Sequence, residues 1–207
     1  MNQIPQNHDD DPAFQNDDDG AIAAVNDGEA WANADVDYPA ARRDGDYAAP
    51  SSLLVRPTMP LDRAILTDFL DRCMTSDPRV RYGLGKKVPR HGAIPGQEFT
   101  EIDCSGFVRE AIRLATSPMV KFPDGSVVQH DWVRNWNYAP GVVEDGEKTD
   151  NRVRIAFLRP QDSAKGVGHV VLLLNGMTLE SHGGVGPNRR VWSSLSWRHH
   201  SHVYRLD

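Results

Sequence analysis

The stretch that most restricts how this chain can fold is His169-Val170-Val171-Leu172-Leu173-Leu174-Asn175-Gly176-Met177-Thr178-Leu179-Glu180-Ser181-His182. Asn-Gly between two strand-like runs is the strongest short signal for a two-residue hairpin turn, because both central positions need a positive φ. With Asn175 and Gly176 as the loop, Leu174 pairs with Met177 and paired residue numbers sum to 351. His169 then faces His182 on one face of the sheet, with Cβ atoms about 4.5 to 5.5 Å apart. Two imidazoles at the open end of a hairpin suit a base and its orienting partner, one taking a proton and the other fixing its tautomer and tilt.

A nucleophile to match lies upstream. The chain has two cysteines, Cys73 and Cys104, too few for a disulfide framework, so each is read separately; a single bridge between them stays open. Cys73 continues the spacing of Leu61, Ile65 and Phe69 in an expected helix over 61–74, which makes it a core thiol. Cys104 stands in Asp103-Cys104-Ser105-Gly106, ahead of Phe107, Val108, Ala111, Ile112 and Ala115. This spacing predicts a helix from about 103 to 115 with Cys104 in its first turn. There the unpaired N–H groups and the helix dipole favour a thiolate. Asp103 is the expected cap, and Gly106 leaves room for close approach.

The remaining strands are expected at 153–158, 169–174, 177–182 and 202–206. Between the nucleophile helix and these come a turn at Asp124-Gly125, an aromatic segment with Trp132, Trp136 and Tyr138, and an acidic loop at 144–150. Helices first and antiparallel strands after define an α+β chain. Its charge is unevenly divided. Residues 1–50 hold twelve acids against Arg42 and Arg43, whereas residues 51–207 hold seventeen acids against twenty-one bases. The tail, residues 1–55, is expected to be mostly disordered, since it has few large apolar groups to offset its ordering entropy. It is either a solvating appendage, or a delivery or partner segment, or an acidic flap over the basic body; the domain occupies residues 56–207.

Several classes are set aside by composition. No run approaches the roughly 18 to 20 apolar residues that span a bilayer. The polar, acidic start lacks the form of a Sec signal peptide. The basic residues of the body show no clustering suited to nucleic acid. His199, His200 and His202 lack partner ligands at metal-site spacing, so neither metal nor cofactor is expected. Trp132, Trp136, Trp192 and Trp197 are read as core residues in preference to sugar-stacking ones.

Taken together, Tyr82-Gly83, Asp103-Cys104-Ser105-Gly106-Phe107-Val108, Arg154–Leu158, Gly168-His169-Val170 and Glu180-Ser181-His182-Gly183-Gly184 resemble the NlpC-like family of papain-fold cell-wall cysteine peptidases, over roughly residues 60–207. The resemblance implies a papain-like core with the cysteine on a helix packed against an antiparallel sheet that bears the histidine. It maps Cys104, His169 and His182 to a catalytic triad. It also places Tyr82, Asp103 and Ser105 near the substrate, where such enzymes often hold a stem-peptide amine.

The implied activity is hydrolysis of peptidoglycan stem peptides, with the bond from D-Glu to the diamino acid favoured. Cleavage of the sugar-to-peptide amide, as by an N-acetylmuramoyl-L-alanine amidase, is the nearest alternative, and a non-catalytic wall- or partner-binding module is another. Delivery is expected by a secretion system, a phage particle or lysis; an injected toxin would require a cognate inhibitor protein in its producer. Two features depart from the family pattern. The 21 residues between Tyr82 and Cys104 form a long insertion in which Lys86, Lys87, Arg90 and His91 are candidates to line a cleft. The second histidine comes one position later than usual, which keeps Glu180 as an alternative third residue, although the hairpin register favours His182.

Overall fold

The computed structural model describes residues 59–207; the acidic tail, 1–55, and the first residues of the expected domain lie outside them. Helix α1 spans Arg63–Thr75 and is capped by Asp62, whose carboxylate accepts from the N–H groups of Ala64 and Ile65 at 2.9 and 3.2 Å. Its inward stripe is Leu66, Phe69, Leu70 and Cys73. Ile65, expected on that stripe, is exposed, because the buried face follows spacings of three and four residues instead of strict fours.

Two short strands, β1 (Arg81–Tyr82) and β2 (Glu101–Ile102), pair in parallel and lead into α2 (Cys104–Ala115). Helix α3 follows at Ser126–Asn135, where only an aromatic segment was expected. Its buried residues are Gln129, His130 and Val133, two of them polar, so its inward face carries no apolar stripe for a sequence pattern to register.

Strands β3 (Pro140–Gly141), β4 (Arg154–Leu158), β5 (His169–Leu174), β6 (Met177–His182), β7 (Gly186–Asn188) and β8 (His202–Arg205) form one antiparallel sheet in the order β3-β8-β4-β5-β6-β7. The chain is thus α+β, as its pattern predicts. Part of the expected acidic loop, Val143–Glu147, is a 3₁₀ turn, held where the Trp192 indole N–H donates to the Val143 carbonyl at 2.8 Å.

The hairpin turn forms as read. Asn175 and Gly176 have φ of 51° and 80°, and Leu174 pairs with Met177, Leu173 with Thr178 and Leu172 with Leu179. Alternation along the central strands then supplies two cores. Ile155, Phe157, Val170 and Leu172 join α1 and α2 in the larger one, while Ala156, Val171, Leu173 and Val203 pack with Trp192 and Leu195 in the smaller. A sheet buried on both faces explains why these strands read as continuous apolar runs. Among the described residues no helix is long and apolar enough to cross a membrane.

Both cysteines are free thiols. Cys73 is wholly buried between α1 and its neighbours, and burial pushes its pKa up to about 12. Replacing it by alanine leaves a small cavity and is expected to lower the unfolding free energy by about 1 to 2 kcal/mol. Denaturant unfolding measures that loss, and an unchanged midpoint would show that the site collapses around the smaller side chain.

Candidate active site

Asp103 turns the chain into α2. It has extended backbone angles, and its carboxylate accepts from the Gly106 N–H at 2.7 Å and from the Ser105 hydroxyl at 3.1 Å. Cys104 is therefore the first helical residue, as its sequence context predicts, and its side chain is nearly covered. The first turn is braced from α3, where the Gln129 side-chain amide donates to the Ser105 carbonyl at 2.8 Å.

His169 opens β5 and its imidazole hydrogen-bonds to Cys104. Its Nε2 lies 2.8 Å from Glu180 Oε2, which leaves Nδ1 for the sulfur. Trp197 stands edge-on to the ring, with centroids 5.5 Å apart. Glu180 is completely buried. Arg190 grips it with two bonds, Nε to Oε1 and Nη2 to Oε2, both 2.9 Å, and the Thr178 hydroxyl donates to Oε1 at 2.5 Å. The Arg190 N–H in turn donates to Thr178 Oγ1 at 2.9 Å.

The orienting contact thus differs from the one the register favoured. The β5–β6 pairing ends at Leu172 and Leu179, after which β6 pairs with β7, and His182 lies opposite Gly186. The far end of β6 is drawn away from β5, so His182 does not face His169. Glu180 sits two residues nearer the turn and on the same face, a diagonal position within reach of a long side chain. His182 instead has Nδ1 3.1 Å from the Gly183 carbonyl, and its Nε2 is buried without a hydrogen-bond partner. Burial, with help from the Arg190 charge, lowers its pKa.

Electrostatics follow from this geometry. Burial alone would lower the His169 pKa, but the hydrogen bonds to Cys104 and Glu180 outweigh it and carry it up to about 9. Burial would likewise raise the Glu180 pKa, yet His169 and Arg190 hold it well below the usual carboxylate range. The arrangement joins a cysteine, an imidazole that keeps its proton and a carboxylate that fixes it, the parts required for a thiolate nucleophile and a general acid.

A scan against protein-family models returns no match for the chain, and a search of curated proteins finds none either.

Of the other residues read from sequence, Tyr82 pairs through β1 with Ile102, two residues before Cys104 in the chain. Asp103 and Ser105 are buried, and both bond Lys87 Nζ, at 2.5 to 2.7 Å. Of the insertion's other basic residues, His91 lies against Glu110 of α2 and Arg90 pairs with Glu98. His202 is paired with Asp162 at 3.4 Å. Sequence reasoning missed Arg190 and Gln129. One signal was present: Glu180 is the only acid in the hairpin 169–182, and a buried carboxylate demands a cation.

Because the folded His169 pKa lies above its ordinary 6.5, its bonds contribute stability that is fully present below pH 6.5 and lost as pH rises through about 9. Glu180→Gln removes an anion that holds the imidazole proton, so the His169 midpoint is expected to fall from about 9 toward 6.5. His182→Ala is expected to leave it near 9. NMR titration of the ring protons reads both, and equal shifts in the two variants would remove Glu180 as the orienting group.

Proposed function

We propose that the chain is a thiol hydrolase of papain-like design that cuts amide bonds in the peptide part of bacterial cell wall, with the D-Glu to diamino acid bond as its favoured target. The observation that carries the chemistry is the chain of contacts from Cys104 at a helix start, through His169, to a buried Glu180 held by Arg190. The choice of substrate rests on the resemblance of the segments around Cys104, His169 and Glu180 to NlpC-like peptidases.

In this reading the Cys104 thiolate attacks the scissile carbonyl carbon. Asp103 already accepts the Gly106 N–H through its side chain and the Phe107 N–H through its carbonyl, which leaves the N–H groups of Cys104 and Ser105 to hold the oxyanion. As the C–N bond breaks, His169 gives its proton to the leaving amine. Water then attacks the thioester carbon, passes a proton back to His169 and releases the carboxylic acid with the Cys104 thiolate restored beside the imidazolium. Glu180 keeps the imidazole in one tautomer and tilt throughout, and its charge stabilises the imidazolium.

Digestion of purified cell wall followed by mass spectrometry of the fragments tests this. Wild-type protein is expected to release fragments with a new amine on the diamino acid; whole stem peptides freed from sugar would instead move the cut to the sugar-to-peptide amide. Cys104→Ala should be folded and inactive. His169→Gln, which can hydrogen-bond but not shuttle the proton, is expected to lose about a hundred- to ten-thousandfold in kcat. Full activity in either variant would end the thiol mechanism.

A further inference from the structure

The two residues that flank Cys104 in the chain belong to a second polar cluster. Lys87 Nζ lies 2.7 and 2.5 Å from the two oxygens of Asp103, 2.7 Å from Ser105 Oγ and 2.9 Å from Asp124 Oδ1. The other Asp124 oxygen accepts from Arg109 Nη1 at 3.1 Å. Two carboxylates therefore meet two cations, and the cluster is neutral as it stands.

The lysine is held in place by its backbone. The Lys86 carbonyl accepts the Asp103 N–H at 2.9 Å, and the Lys86 N–H donates to Gly83 at 3.0 Å. A Cβ at position 106 would come within 2.9 Å of Lys87 Cδ and 3.1 Å of the Lys86 carbonyl, so glycine there lets the lysine cross the first turn of α2. Beneath it Asp103 and Ser105 are 5% and 4% exposed, whereas a quarter of the Lys87 side chain, 25%, reaches solvent. A ligand arriving on this flank of the nucleophile meets the ammonium before the oxygens.

We infer that Lys87 is a specificity-determining residue that fills the ammonium site beside the nucleophile from within the chain, so that the preferred substrate is a stem peptide whose N-terminal amine is acylated, as in wall still joined to glycan. The inference builds on the cell-wall hydrolase reading and departs from the expectation that Asp103 and Ser105 hold a free stem-peptide amine. A free α-ammonium would either have to expel a group of equal charge that already makes charge-assisted hydrogen bonds to three side chains, or enter beside it a cluster with no net negative charge. An N-acyl amide brings no charge and leaves Lys87 where it is.

The test uses the full chain and two substrates, a stem tetrapeptide with a free N-terminal amine and the same peptide N-acetylated, with the cut located by mass. Wild type is expected to favour the acetylated peptide in kcat/KM by about ten- to a hundredfold. Lys87→Met keeps the alkyl chain over Gly106 and frees the carboxylates, so it should erase or reverse that preference, chiefly through a lower KM for the free amine. Lys87→Arg should preserve it.

A wild-type preference for the free amine, or an active Lys87→Met with the ratio unchanged, overturns the inference. Should Lys87→Met fail to fold, calorimetric titration of both peptides into Cys104→Ala decides: the acetylated peptide should bind about ten- to a hundredfold tighter, and equal binding of the free amine sinks the idea. If wild type cuts neither peptide while Cys104 still alkylates, the cell-wall reading itself fails and this inference falls with it.

Discussion

A carboxylate with no exposure to water must be matched by charge and hydrogen bonds, and in this protein that demand organises the site. Glu180 meets it with His169, Arg190 and Thr178 together. Removing one partner from such a pair leaves a buried charge uncompensated, typically at about 3 to 5 kcal/mol. The same contacts that satisfy Glu180 therefore fix its neighbours. Arg190 ties the chain beyond β7 back to β6, Thr178 is locked between the carboxylate and the Arg190 backbone, and the His169 ring is held at Nε2 with its other nitrogen left for Cys104.

The placement of Cys104 depends on a comparable convergence around Asp103. One carboxylate caps the first turn of α2 at Gly106, accepts from Ser105 and anchors Lys87. Gln129 braces the Ser105 carbonyl from α3, and β1 pairs with β2 immediately before α2. Elements separated by long loops thus meet at one helix start. Little of it is free to relax, since Asp103, Ser105 and Gln129 are all buried. A side chain carried on so fixed a helix start has little freedom left to lose when a ligand binds.

Much of the layout follows from local rules. Asn175 and Gly176 adopt the positive φ that a two-residue hairpin demands, and Leu174 meets Met177 as the register requires. Cys104 begins its helix because Asp103 caps it and the apolar spacing starts just beyond. Cys73 is a core thiol because it continues the stripe of α1. These features depend on neighbours a few residues away, so the chain's own order carries them. Helix α3 escapes such rules, since its inward face holds Gln129 and His130, whose partners are distant in sequence.

The amino-acid sequence by itself determined the α+β order of elements, the hairpin, the helix start and the pairing of Cys104 with His169 as candidates. Tertiary structure alone decided which group bonds the histidine and what fills the flank of Cys104. Hairpin register treats two strands as an isolated ribbon, but β6 leaves β5 for β7 beyond Leu179, and that parting gives the contact to Glu180 instead of His182. Likewise Lys87 lies 17 positions before Cys104, and nothing in its immediate context directs it to Asp103. Its place is set by the Lys86 backbone bond to Asp103 and by the absence of a side chain at Gly106, contacts that exist only once the chain has folded.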